Sequence, residues 1–216
     1  MTAKTPEIDK AIAATWDIFE SNYFLSARGV DTNWALAKLR KEATCADVVS
    51  ATLANSHNFK VAGEDIQNIS NIAIKAKFAD VVNATAAHAQ TILEKLPYGR
   101  ARGSFDGRHP FHDPHSYVLR IATEAKSAAA VNVFVHNLDV LSKLVPDSDK
   151  LINVVINANS GKEIQNIVAH AHNVEAAKQE ANALIDNIIQ PSRGAAPHAE
   201  SVRRSRVPTS ADEQIR

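Results

Sequence analysis

The segment GRHPFHDPHSY, residues 107–117, concentrates polar and titratable side chains more densely than the rest of the chain. Its three histidines, His109, His112 and His115, recur every three residues, and imidazole is a common zinc ligand. Two prolines inside the segment prevent a continuous helix, because proline lacks the amide donor and clashes with the preceding turn. The imidazoles would therefore need a specific loop conformation to share a metal. They are weak metal candidates, and a polar loop whose histidines bond to backbone or water is favoured.

The same region is also a candidate anion site at the start of a helix. Asp113-Pro114 places a capping side chain before a first-turn proline, which predicts that a helix begins there. Backbone donors and the positive dipole end at a helix N-terminus suit a phosphate. The candidate anion-binding residues are Arg100, Arg102, Arg108, His109, His115, Ser116 and Arg120. The alternative is that Asp113 fills the cap and repels an anion, while the arginines pair with surface acids.

Residues 109–113, His-Pro-Phe-His-Asp, together with Arg120, resemble the loop of Fic-type AMP-transferases over twelve residues. The resemblance implies a degenerate nucleotide-transfer enzyme, with His109 as the base that activates a hydroxyl and Asp113 as a metal-holding acid. The chain departs from the family at 114–117, where Pro-His-Ser-Tyr stands in place of the Gly-Asn-Gly-Arg element. Without those glycines the backbone cradle for phosphate is missing.

The elements around this segment are predicted to be helices. Among 216 residues there are only 7 glycines, alanine is abundant, and alanine favours helix most. Apolar residues recur at helical spacing, as at Ile8, Ile12 and Phe19. The predicted fold is all-α, with six or seven helices in an irregular multi-helix bundle or a short helical-hairpin array. Residues 1–190 form a single helical domain, and 191–216 a disordered, mildly basic tail.

Several helix boundaries can be predicted from local signals. Residues 64–96 contain no proline or glycine and predict one long helix, or two with a break near Asn83. The helix that begins at Asp113-Pro114 is expected to continue as far as Leu144. Thr44 and Asp47 resemble a capping box, and so do Ser160 and Glu163.

A seam of apolar residues follows the second capping box, from Ile164 to Ile188. The spacing alternates between three and four residues, which is typical of helices that pack against a partner helix. The candidate partner-contact residues are Ile164, Ile167, Val174, Ile185 and Ile188. The alternative is that the seam is ordinary intramolecular core.

Two pairs of segments echo each other in sequence. Residues 46–52 resemble 79–85, 33 positions later, and residues 63–69 resemble 161–167. A period of this size is typical of stacked helical hairpins. The middle of the chain does not fit the register, so the alternative is that helix starts reuse the same residue types.

Composition excludes several classes of protein. The formal net charge is +0, so a globally basic nucleic-acid binder is not indicated. Cys45 is the single cysteine, which excludes an intrachain disulfide and a thiolate metal cluster. We expect no signal peptide and no membrane-spanning segment, since no apolar run approaches roughly 20 residues. A cytoplasmic or otherwise intracellular location follows as an expectation.

With no strong catalytic pattern and no expected cofactor, a non-enzymatic role in protein–protein interaction or assembly is favoured. A protein partner or self-association is expected. The runner-up is a coat- or nucleocapsid-like binder of nucleic acid or phosphate, which would use the Arg100–Arg120 segment and the tail arginines Arg203, Arg204 and Arg206. The Fic-like enzyme centred on His109 is the third alternative.

Overall fold

The computed structural model of the chain describes residues 6–23, 32–96, 115–171 and 176–189, with the backbone alone at 115–116 and 176–178. These residues form twelve α-helices and no strand, which confirms the all-α prediction. The helices are α1 (Pro6–Tyr23), α2 (Thr32–Glu42), α3 (Ala46–Ala54), α4 (Ser56–Val61), α5 (Ile66–Lys75), α6 (Ala79–Lys95), α7 (His115–Glu124), α8 (Ala128–His136), α9 (Leu138–Leu144), α10 (Ser148–Asn157), α11 (Gly161–Ala171) and α12 (Ala176–Ile189). None of these helices is both long and apolar enough to cross a bilayer.

The helices form five hairpins that stack side by side. The first helix of each hairpin packs against the next in one row, in the order α1, α3 with α4, α6, α8 with α9, and α11. The second helices form a parallel arrangement, here called the second row, in the order α2, α5, α7, α10 and α12. Each helix contacts mainly its row neighbours and its own hairpin partner, as in repeat proteins. The hairpin-array alternative is therefore the observed one.

The first-row helices after α1 begin at equivalent positions of a 33-residue repeat, whereas α1 begins 40 residues before α3. Ala46 and Ala79 are 33 residues apart, as are Ala128 and Gly161, whereas Ala79 and Ala128 are 49 apart, 16 more. The additional residues lie between α6 and α7, the part of the chain that holds the histidine-rich segment. This insertion explains why the middle of the sequence does not fit the register.

One of the two sequence echoes is a true repeat and the other is not. Residues 46–52 and 79–85 are the starts of α3 and α6, which occupy the same place in successive hairpins. Residues 63–69 lead into α5 of the second row, whereas residues 161–167 begin α11 of the first row. The second echo therefore compares helices with different places in the repeat.

Three-residue linkers end each of the first four hairpins. They are Ala43-Thr44-Cys45, Ala76-Lys77-Phe78, Ala125-Lys126-Ser127 and Ala158-Asn159-Ser160. At the leading alanine the amide still donates to the carbonyl four residues earlier, at 2.9 Å from Ala76 to Ile72 and 3.0 Å from Ala158 to Val154. Both alanines then take an extended backbone conformation, which ends the helix.

The linkers correct two predicted helices. The break in the 64–96 helix lies at Ala76–Phe78 instead of near Asn83, because Ala76 is extended, with φ −62° and ψ 146°. The helix expected to reach Leu144 ends at Glu124, because Ser127 caps a new helix by accepting from the amide of Ala130. A further interruption at Asn137 separates α8 from α9.

The two predicted capping boxes have different outcomes. Cys45 is the N-cap of α3 and makes no side-chain cap bond, so the capping box at Thr44 is wrong. Glu163 in the first turn of α11 accepts the amide of Asn159 at 3.0 Å, one residue before Ser160, the partner that the capping box predicts.

Candidate functional site

Most of the predicted anion and metal site lies outside the described residues. This applies to Arg100, Arg102, Arg108, His109 and His112, and the predictions for them stay predictions. His115 and Ser116 form the first turn of α7, directly after Asp113-Pro114 as the sequence predicts, but only their backbone is described. The Asp113 acid of the Fic-like alternative and the tail arginines are likewise outside the described part.

Arg120 is the one predicted anion-binding residue whose side chain is described. Its Nη2 donates to Oδ1 of Asn153 at 3.0 Å, and its Nη1 donates to Oδ1 of Asp149 at 3.3 Å. Its Nε lies 3.8 Å from Oε1 of Glu124 on the same helix. Arg120 therefore joins α7 to α10, and an incoming anion would compete with two carboxylates for the guanidinium.

Three of the predicted partner-contact residues are buried inside the chain. Ile164 and Ile167 are completely buried, and Ile185 is 2 % exposed. The seam is not one helix but two, α11 and α12, which pack against each other and close the last hairpin. Ile188 is half-buried at a groove, and Val174 is outside the described residues. The buried part of the seam is consequently unavailable to a partner.

The second row carries polar side chains in register, here called the second-row ladder. Its members lie five residues before the linker alanine of each hairpin: Lys38, Asn71, Arg120 and Asn153. The Nζ of Lys38 donates to Oδ1 of Asn71 at 3.0 Å, as Arg120 does to Asn153. Within the described residues, the Nδ2 groups of both asparagines make no hydrogen bond. Each pair connects neighbouring hairpins and leaves amide donors at the surface.

Two open grooves lie between helices of the second row. The first, the lysine groove, has a volume of about 380 Å³ and lies between α5 and α7, lined by Lys75, Lys77, Leu119, Arg120, Thr123 and Glu124. The second, the amide groove, has a volume of about 240 Å³ and lies where α10 and α12 meet the start of α11, lined by Asn157, Asn159, Glu163, Asn166, Leu184, Asn187 and Ile188.

The two grooves share two positions of the repeat. Lys75 and Asn157 immediately precede a linker alanine, and Lys77 and Asn159 immediately follow one. At these two shared positions one groove carries lysines and the other carries asparagines, whereas Glu163 and Asn166 of α11 line the amide groove alone. Neither lysine has an ion pair with another described residue.

The first row also repeats a polar contact between neighbouring hairpins. Nδ2 of Asn55 donates to Oδ1 of Asn83 at 2.8 Å, and Nε2 of His88 lies 3.0 Å from Oδ1 of Asn132. The His88 ring also meets the His136 ring edge-on, with centroids 5.3 Å apart. No group of three or more His, Cys, Asp or Glu side chains within the described ranges is arranged to hold a metal ion.

Comparison with known proteins found no matching family model, no similar curated protein and no similar solved structure. The candidate site is therefore defined by the chain's own geometry. Sequence reasoning missed the second-row ladder and both grooves. The signal that could have found them is the 33-residue spacing, once the 16 additional residues between α6 and α7 are removed from the count.

Proposed function

We propose that the chain is a non-enzymatic protein-interaction module whose second row receives a protein partner. The observation that carries this proposal is the pair of open grooves along the second row, with the ladder of polar side chains beside them. Stacked hairpins present extended surfaces on which successive repeats hold similar side chains at regular intervals. Polar groups on packed helices are held in place, so recognition costs little ordering of the binding side.

The proposed contact surface differs from the predicted seam. Ile164, Ile167 and Ile185 stabilise the last hairpin from inside, so only Ile188 of that group belongs to the proposed surface. The lysine groove and the amide groove replace the buried residues. Both grooves include side chains from two successive hairpins, so a partner would contact two stacked hairpins and not one isolated helix.

The alternative is a binder of nucleic acid or phosphate, through the Arg100–Arg120 segment and the tail arginines. Phosphate binding weakens steeply as salt rises, because bound counterions are released. Contacts through the two grooves involve only a few charges, so they weaken less with salt than contacts to many phosphates. The two functions therefore differ in how strongly added salt reduces binding to the immobilised chain.

The test combines salt with lysine-specific cross-linking. The immobilised chain is exposed to a cell extract at low and high salt, retained proteins are cross-linked to it, and the cross-linked lysines are located by mass spectrometry. We expect cross-links at Lys75 and Lys77 of the second row, while Lys10 and Lys162, equally exposed in the first row, stay unlinked. Cross-links shared equally by both rows, or retention of nucleic acid that salt releases, would overturn the proposal.

A further inference from the structure

We infer that the partner binds as an extended polypeptide segment that crosses the second row, with an acidic side chain in the lysine groove and an aliphatic side chain in the amide groove. This inference rests on the proposed function, because it names the class of partner that the second row receives. It is carried by the chemistry of the two grooves and by their spacing.

The lysine groove selects an anionic side chain. Arg120 lies 3.8 Å from Glu124 and 3.3 Å from Asp149, so its single positive charge is shared between two carboxylates. Lys75 and Lys77 are both exposed and have no ion pair among the described residues. The two lysines and Arg120 outnumber the two carboxylates, so the groove keeps a net positive charge, which a carboxylate side chain complements.

The amide groove selects a neutral, aliphatic side chain. Leu184 and Ile188 are half-buried and provide its apolar surface, while asparagines provide most of the polar rim. Its one charged residue, Glu163, lies in the first turn of α11 and accepts the amide of Asn159. The positive end of the helix dipole there offsets the carboxylate. An acidic side chain gains no ion pair in this groove.

The second-row ladder offers bonds to the backbone of the bound segment. An extended strand has carbonyl and amide groups without internal partners, and binding must satisfy those that become buried. The Oδ1 atoms of Asn71 and Asn153 already accept from Lys38 and Arg120. Their Nδ2 groups are therefore the atoms that can donate to the carbonyls of an extended chain.

The spacing of the grooves predicts the spacing of the two side chains. Packed helix axes are about 8–10 Å apart, and the two grooves are separated by two steps along the second row, roughly 16–20 Å. An extended chain covers about 3.3 Å per residue, so the acidic and aliphatic residues should be about five or six positions apart. A helical segment would need about twelve residues for the same span.

The first experiment is selection from a phage-displayed library of random twelve-residue peptides on the full chain. Enriched peptides should share an acidic residue and an aliphatic residue about five or six positions apart. Their affinity is then measured by fluorescence anisotropy on synthetic copies. No enrichment, enrichment without an acidic residue, or a spacing of about twelve residues would overturn the inference.

Matched variants assign the acidic side chain to its groove. Removing both charges in Lys75→Gln/Lys77→Gln should weaken binding roughly tenfold, since two exposed charge pairs are lost. The control Lys10→Gln/Lys162→Gln removes the same charge from the first row and should leave the affinity unchanged. Equal effects of the two double variants would contradict the assignment.

A transplant variant assigns the aliphatic side chain. Asn157→Lys/Asn159→Lys places in the amide groove the residues that line the lysine groove at the same repeat positions. Selection on this variant should recover peptides with a second acidic residue where the aliphatic one stood. Unchanged peptide preferences would overturn the assignment of that groove.

Failure of this inference is distinguishable from failure of the proposed function. If no peptide is selected but folded proteins cross-link to Lys75 and Lys77, the proposed function is supported and the binding of an extended segment is contradicted. If homopolymeric RNA binds and the Lys75→Gln/Lys77→Gln variant loses that binding, the second row is a nucleic-acid surface and both proposals fall.

Discussion

At Gly161 the stacking of hairpins leaves no room for a side chain. A Cβ atom there would lie 2.8 Å from the carbonyl oxygen of Ala129 and 2.9 Å from Cγ2 of Val133, both on α8. The start of α11 therefore touches the neighbouring first-row helix through backbone alone. Ala46, Ala79 and Ala128 hold the same repeat position, so small residues recur where first-row helices begin.

We expect Gly161→Ala to lower the free energy of unfolding by about 1–3 kcal/mol, because backbone must move to admit the methyl group. Urea denaturation followed by circular dichroism measures the change. The matched control is Lys162→Ala, at the exposed next position, with an expected change within about 0.5 kcal/mol. A Gly161→Ala variant as stable as the control would show that the hairpins are less closely stacked than described.

Two buried tyrosines give the chain a predicted pH dependence. Burial, then the nearby carboxylates of Glu64 and Asp65, raises the pKa of Tyr23 above its usual value of 10.0. Burial, then Asp149, also raises the pKa of Tyr117. The folded state therefore keeps both phenols protonated at a pH where the unfolded chain releases the protons. Their contribution is complete below pH 10 and is lost as pH rises from there toward the raised folded pKa.

The measurement is urea denaturation at pH 8 and pH 11 for the wild type and the Tyr23→Phe/Tyr117→Phe variant. The variant should be less stable at pH 8 by about 1 kcal/mol or more, since the Tyr23 hydroxyl donates to the Glu64 carbonyl at 2.8 Å. Between pH 8 and pH 11 the wild type should lose more stability than the variant. If the wild type and the variant lose the same stability between pH 8 and pH 11, the tyrosines are not the cause of the pH dependence.

At the scale of elements, helix starts differ in whether a side chain caps them. Asp147 accepts the amides of Asp149 at 2.9 Å and Lys150 at 3.2 Å at the start of α10. α3 begins after Cys45 without any side-chain cap bond. The two starts therefore differ in how much stability a capping residue contributes.

Replacing Asp147 by alanine should lower the free energy of unfolding by about 1 kcal/mol, the usual contribution of an N-cap. Thr44→Ala, at the position that the sequence pattern wrongly assigns as a cap, should change it by less than about 0.5 kcal/mol. Thermal and urea unfolding of the two variants provide the comparison. An equal loss in both variants would contradict the capping assignments.

Sequence reasoning identifies helices more readily than it identifies where they are interrupted. The starts of α7, α10 and α11 carry local signals, since proline, aspartate and glutamate act within one turn. The ends at Ala76 and Ala125 carry none, because alanine is the residue that most favours helix. These breaks are set by how successive hairpins pack, so they become visible only when the repeat is aligned.

At the scale of the whole molecule, the candidate site depends on the repeat. Lys75 and Arg120 are distant in sequence, yet both line the lysine groove because α5 and α7 are neighbours in the second row. Composition and local motifs cannot indicate this proximity. Most of the histidine-rich segment, residues 107–114, lies between α6 and α7, where the additional residues of the chain are, and its last three residues begin α7.

The central claim is that α6 and α7 form a hairpin equivalent to the others, interrupted by 16 additional residues. Deleting residues 97–112 restores the 33-residue step and leaves residues 96, 113 and 114 between the helices, as residues 145–147 lie between α9 and α10. The control removes 16 residues from α6 itself, residues 79–94.

Urea denaturation of the two deletion variants, followed by circular dichroism, tests this claim most directly. We expect the 97–112 deletion variant to keep the helical signal and one cooperative transition, whereas the α6 deletion variant unfolds. Loss of helical signal and cooperativity in the 97–112 deletion, to the same extent as in the α6 deletion, would contradict it.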